Sequence, residues 1–309
     1  MFPRRQLNLT CYLRAPDLCS SRLRTTMTTK ILDHIVHLTP PGTVQETAEQ
    51  FRQLGFNVLD GGVHAGGLTA NSLVVLGDHV YLELISFTKP LEAYPPSDPS
   101  RKARESHKWA SRVPGWIDYA FLGNGSLTPP QRISDIINSR RDESEGPLYL
   151  DEVPGGRTRP DGEVLKWVIT SPAKAKSILP FFCGDVTDRR LRVPTQPDST
   201  SPHPCGARGI AHIRLLTSRS SFAAEYKELS VVIETPPISH TPTEAKWYLS
   251  TLNGLRAPTI ILSTPVDQEQ ENFVVNTSLP RIYEVGFWVG EDDKEGSITT
   301  PFAKIVWVR

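Results

Sequence analysis

The chain has 309 residues, of which 38% are hydrophobic and 22% charged, and its 34 lysines and arginines balance 34 aspartates and glutamates. That length buries a sizeable core in one or two domains. Zero formal net charge, with no Lys/Arg-rich stripe in the body, excludes the footprint of a nucleic-acid binder, and no apolar run approaches the roughly 18 residues that cross a bilayer. The four cysteines, Cys11, Cys19, Cys183 and Cys205, form no CxxC pair, so the expected state is reduced and unpaired.

Residues 1–26 carry Arg4, Arg5, Arg14, Arg22 and Arg24 against one acid, Asp17. Two readings stand: a mitochondrial transit peptide, or an extension ahead of a true start at Met27, which makes the protein cytoplasmic. ILDHIVHL (31–38) is β-rich. Val44, Ala48, Phe51 and Leu54 recur at helical spacing, with Gly55 at the C-terminal stop, and predict a helix over 43–54. FNVLD (56–60) is a short strand, followed by the glycine loop GGVHAGG (61–67). NSLVVLG and HVYLELISF flank GDH (77–79), a hairpin signal. The order is βαβββ.

A proline-rich, charged linker (89–114) leads to a second such unit over 115–186. WIDYAFLG is its first strand. TPPQRISDIINSRR (128–141) is its helix, with Thr128 as candidate cap. LYLDEV, GEVLKWVIT and ILPFFCGDV are its further strands. A third stretch, 206–309, offers the strand GIAHIRLLT, the helix SSFAAEYKELS and the strands VVIET, APTIILST, RIYEVGFWVG and FAKIVWV, with an acidic loop at 290–296. It reads as a third such unit or as a separate extension. The expected fold class is α+β: repeated βαβββ units forming a cupped, partly closed mixed sheet over 27–205, with a further α+β region behind it. The concave face is where a small ligand would bind.

Strand alternation places His34 with Leu32, Val36 and Leu38 on one face of the first strand, with Asp33 and His37 on the other. Tyr81, Glu83 and Ile85 share a face of the fourth strand. A carboxylate inside a strand is costly unless paired, protonated or metal-bound. Imidazole and carboxylate together suit Zn, Fe, Mn, Ni or Co. Read plainly, His34 is a satisfied core histidine and Glu83 a carboxylate at a wet strand edge.

The stretches LDHIVH, GGVHAGGLTANSLVVLGDHVYLELISF, GWIDYAF, RTRPDGEVLKW and LPFFCGDVTDR, in this order, resemble the glyoxalase-like branch of the vicinal-oxygen-chelate superfamily over roughly 31–205. The resemblance implies His34 and Glu83 as ligands of a divalent metal ion, with Glu83 also a catalytic group that ligates or moves a proton. It marks His64 as a site residue, both ligand and catalytic group, and Asn71 as a polar wall residue. Tyr81, Trp116 and Trp167 are further substrate-binding candidates. The second unit departs from the superfamily pattern: it offers Asp118, Tyr119, Phe181 and Phe182 where a second ligand pair belongs, with His203, or the pair His212 and Glu284, as substitutes. The resemblance implies a metal-dependent lyase, isomerase or dioxygenase acting on a small vicinal-oxygen compound. The alternatives are a metal-free cup that binds or sequesters a small molecule, and an inactive relative. The expected partner is a small molecule, neither nucleic acid nor membrane; a homodimer is left open.

Overall fold

A computed structural model describes residues 28–159, 162–195, 202–254, 256–300 and 302–309, so the arginine-rich segment 1–26 lies outside the described residues. In chain order the first unit runs β1 (Leu32–Thr39), α1 (Val44–Gln53), β2 (Leu59–Val63), β3 (Thr69–Val75) and β4 (Tyr81–Phe87). Helix α2 (Pro99–Ser106) leads to β5 (Gly115–Leu122), α3 (Ile133–Asn138), β6 (Val153–Thr158), β7 (Val164–Thr170) and β8 (Phe181–Asp185), and the short α4 (Arg189–Arg192) follows. The remaining elements are β9 (Gly209–Leu216), α5 (Phe222–Ile233), β10 (Ser239–His240), β11 (Glu244–Tyr248), β12 (Thr259–Ser263), α6 (Gln268–Asn276), β13 (Ile282–Trp288), β14 (Gly296–Thr299) and β15 (Lys304–Val308).

Two mixed sheets result, and the fold class is α+β as expected. The first has the order β2-β3-β4-β1-β5-β8-β7-β6 and the second β10-β11-β12-β9-β13-β15-β14. In the first sheet β1 lies parallel to β4 and antiparallel to β5, so the two βαβββ units join through their first strands. The sheet curls until its edges approach: Ala65 N–H, just past β2, donates to Gly156 O on β6 at 3.4 Å. The curl makes the concave cup.

The convex side carries the main core. Ile35, Leu82, Tyr119 and Phe182 of the first sheet, Ile213, Leu262 and Phe287 of the second, and Phe51, Ile137 and Leu229 from α1, α3 and α5 form one buried cluster. Leu82 and Leu84 of β4, with Val80 just ahead of it, alternate into this same core. No described helix is long and apolar enough to cross a membrane. Cys183 and Cys205 are free thiols.

Three local expectations are corrected. The helix expected at 128–141 shrinks to α3, whose N-cap position is Arg132 and not Thr128. Pro129 and Pro130 explain this: each fixes φ and disfavours helical backbone before it. VVIET is not a strand, because Val231–Ile233 complete α5, where Val232 and Ile233 extend the buried stripe of Phe222 and Leu229. Burial at helical spacing overrides β-propensity there. LYLDEV contributes only its last residue to β6; Tyr149 instead makes an isolated bridge to Pro172.

Candidate functional site

Register decides what faces the cup. His34 pairs with Tyr81 and Val36 with Glu83 across β1 and β4, while Leu73 of β3 stands opposite Glu83. His34, Tyr81, Glu83, Asn71 and Leu73 therefore share the concave face. With Trp167, Arg157 and Phe181 from the opposite wall they line a cavity of about 340 Å³.

His34 is held rigidly. Its Nδ1 lies 2.7 Å from Asp33 Oδ2, and its ring stacks on Tyr81 at 4.6 Å and meets the edge of Phe181 at 5.2 Å. Asp33 was expected on the opposite face. A bulge between Leu32 and His34 in the β1–β5 ladder breaks the alternation and brings it alongside. Burial alone would push the Asp33 carboxyl up, but Arg192, Arg189 and His34 outweigh it and hold it well below the carboxylate range. Arg189 Nη1 sits 2.5 Å from Oδ1, and Arg192 donates to Oδ2 at 3.0 Å. An ionised Asp33 fixes the Nδ1–H tautomer and leaves Nε2 free toward the cup, 3.8 Å from Glu83 Oε2.

Glu83 is buried too. Asn71 Nδ2 donates to its Oε1 at 2.7 Å, and His64 Nε2 lies 3.5 Å away. Burial pushes the Glu83 carboxyl up, but the facing His64 and His34, the Asn71 hydrogen bond and Arg192 prevail and hold it below its usual value. Burial pulls His64 down; Glu83 opposes this, and Arg157 and His34 add to it. Its Nδ1 is paired with Thr69 Oγ1 at 2.8 Å. At neutral pH the site is thus a carboxylate beside a neutral His64. The glycine pair ahead of His64 has a structural reason. A Cβ on Gly61 would stand 2.1 Å from Asn71 Oδ1, and one on Gly62 would stand 3.1 Å from an Arg157 guanidinium nitrogen. Gly62 N–H also donates to Asn71 Oδ1 at 3.1 Å, which orients the amide.

The donor types present, two imidazoles and a carboxylate, are those a divalent transition ion takes, but their arrangement does not fit one. Among the described residues no group of three His, Cys, Asp or Glu is placed to hold a metal. The Asn71 –NH₂ lies 3.3 Å from His64 Nε2 and 2.7 Å from Glu83 Oε1, putting donor hydrogens where an ion would need lone pairs. Turning the amide over would strip Gly62 N–H of its acceptor. The second unit adds no ligand pair, since its β8 presents Phe181 and Cys183 to the cup.

Other candidates are placed elsewhere. Trp116 is not a cup residue: it lies in the convex core against His37 and Phe51, its Nε1 donating to Lys304 O at 3.0 Å. The bulge between Val36 and His37 in the β1–β5 ladder sets that facing. His203 is no ligand either. Its Nδ1 accepts from Asn57 N–H at 2.9 Å, its Nε2 lies 3.2 Å from Val75 O, and its ring packs on Phe56 of the convex core. Tyr119 and Phe182 are core residues as well. Asp118 is committed to Lys108 and Trp109 Nε1 at 3.2 and 3.0 Å. His212 and Glu284 lie together on the second sheet. His34, His64, Asn71, Tyr81, Glu83 and Trp167 line one cavity. Missing from the sequence reading were Asp33, Arg192 and Arg157. For Arg157 a signal existed: the pair Gly155-Gly156 precedes it as Gly61-Gly62 precedes the His64 loop.

A model of a glyoxalase-like domain matches residues 32–230. No curated protein matches the chain. Among solved structures, a hypothetical protein from Staphylococcus aureus aligns over 90% of this chain and 98% of its own at 10% identity, with a TM-score of 0.62. A 4-hydroxymandelate synthase variant from Streptomyces coelicolor aligns over 88% and 78% at 11% identity, with a TM-score of 0.47. A 2,2',3-trihydroxybiphenyl 1,2-dioxygenase from Sphingomonas wittichii aligns over 90% of each chain at 12% identity, with a TM-score of 0.43.

Proposed function

The chain belongs to the glyoxalase-like domain family, and on that premise we propose that it is an enzyme of the proton-transfer kind, a lyase or isomerase, acting on a small molecule held in the first sheet's cup. One observation carries this reading: His34, fixed through Nδ1 to an ionised Asp33, points its free Nε2 at Glu83 Oε2 across 3.8 Å. That gap is too long for a hydrogen bond between them, and both groups line the cavity. An ionised Glu83 takes a proton from the bound molecule. His34 Nε2 accepts that proton in turn, its positive charge met by Asp33, and returns it to a neighbouring atom of the same molecule. Asn71 occupies Oε1 and leaves Oε2 for this work. A positioned acid–base pair of this kind supplies about 10²–10⁴-fold in rate.

The sequestering reading is supported by the other half of the cup, where Trp167, Ile169, Phe181 and Cys183 form an apolar wall. The test is proton NMR in D₂O with thiol hemithioacetals of 2-oxoaldehydes, 2-hydroxyketones and catechols, on protein whose metal content is measured in the same sample. The expected result is exchange or turnover that falls at least ~100-fold in Glu83→Gln and in His34→Gln. Saturable binding without turnover would assign the chain to sequestration. Near one equivalent of a divalent metal, lost in both variants, would restore the chelate mechanism.

A further inference from the structure

Arg157 is the unexplained charge in the cup. It lies on β6, is only 9% exposed, and lines the same cavity as His34 and Glu83. Among the described residues no hydrogen bond or ion pair reaches its guanidinium. Its neighbour Arg192 makes the contrast plain: that side chain binds Asp33, Asp185 and Tyr81 Oη and is fully used. Lys108 is likewise committed, to Asp118, with its Nζ over the Phe181 ring. Arg157 instead rests over the space left by Gly62. Burial disfavours its charge, the Glu83 carboxylate across the cup opposes this, and its nitrogens stay open to the cavity with no hydrogen bond made to a described residue. A group kept at that cost in a concave site is a candidate for ligand recognition.

We propose that Arg157 is the anion anchor of the cup, and that the molecule bound there carries a carboxylate on a compact apolar body. A planar guanidinium presents paired donors that match a carboxylate's two oxygens. The apolar body has its place on Trp167, Ile169 and Phe181, on the two strands next to β6 and beyond. Glu83 repels the same carboxylate, so the anion goes to the Arg157 side and the adjoining carbon is left toward the His34–Glu83 pair. This assignment deepens the proton-transfer reading by naming its substrate class, and it rests on the cup being the ligand site.

The test is a titration of tryptophan fluorescence, Trp109 and Trp167 both lining the cavity, with 3-phenylpropionate and with its neutral isostere 3-phenylpropionamide. The full chain is expected to bind the acid at least ~10-fold more tightly than the amide, the size of a hydrogen-bonded charge pair. Arg157→Met abolishes that preference, Arg157→Lys keeps part of it, and Glu284→Gln, on the second sheet, keeps all of it. Without ligand, Arg157→Met melts near the wild-type temperature or above, since no hydrogen bond or ion pair is lost with the guanidinium. Equal binding of acid and amide, binding of neither, a preference that survives Arg157→Met, or a lower melting temperature for the ligand-free variant would each overturn the proposal. Inorganic phosphate displacing the acid at lower concentration than acetate does would overturn the carboxylate assignment. Turnover failing while the acid preference stands sinks the catalytic reading alone. Turnover of neutral compounds without an acid preference sinks this one alone.

Discussion

The two sheets carry the same histidine in two different settings. His34 on β1 faces Tyr81 and Ala120; His212 on β9 faces Thr259 and Gly286 at the corresponding places. Where β4 gives Glu83, opposite Val36, β12 gives Ile261, opposite Arg214. The second sheet's carboxylate is Glu284, across from Arg214 on β13. It is saturated: His212 Nε2 lies 3.2 Å from its Oε1, Arg214 Nε donates to the same atom at 3.1 Å, and Lys304 Nζ lies 3.4 Å from Oε2. Burial would raise Glu284, but the His212 and Arg214 contacts draw it down to about 2. In the first sheet His34 keeps a free Nε2 and Arg157 keeps a whole guanidinium, both inside a cavity. Residue type does not distinguish the two faces. Unsatisfied bonding capacity, enclosed, is what makes the first the candidate site.

The largest expected effect breaks that contrast if it fails. Glu83→Gln should cost turnover at least ~100-fold, while Glu284→Gln and His212→Gln change it less than ~2-fold; initial rates on the same substrate decide. A smaller effect sharpens the contrast within one strand. His37, three residues from His34, is buried with both ring nitrogens unpartnered, between Phe51 and Trp116. Burial lowers it to about 3, against an ordinary value of 6.5. The stability it permits is full above pH 6.5 and is lost as pH falls toward 3, because only the unfolded chain takes the proton. By pH 5 that loss is about 2 kcal/mol. Urea melts of His37→Leu should lose less stability than wild type between pH 7 and pH 5. Equal losses would mean that His37 is not sealed off. The smallest effect concerns the second sheet. A double-mutant cycle on Arg214 and Glu284 should give a coupling of about 0–1 kcal/mol, as for partly exposed pairs with alternative partners. A value several times larger would make that cluster a structural element in its own right.

Much of this was readable in the chain. The alternation of LDHIVH and YLEL places His34, Tyr81 and Glu83 on one face, and the same alternation puts Leu82 and Leu84 in the convex core. Alternation fails where the ladder slips. The bulge at Leu32–His34 brings Asp33 beside His34, and the shift at Val36–His37 accompanies the turn of Trp116 into the core, and period-two reasoning cannot anticipate either. His203 misled because a loop histidine carries no facing; its nitrogens are taken up by Asn57 and Val75, a long-range pairing. Arg157 escaped notice because being unpaired is a property of the folded neighbourhood, not of the residue.

On the function proposed above, the first sheet's cup moves protons with its own carboxylate and histidine. The most direct measurement is solvent-deuterium incorporation into one turned-over substrate, with metal content determined on the same protein. The expected result is incorporation at substoichiometric metal, abolished by Glu83→Gln and untouched by Glu284→Gln. Incorporation that survives Glu83→Gln, or that tracks one equivalent of metal lost with His34 or Glu83, would contradict it.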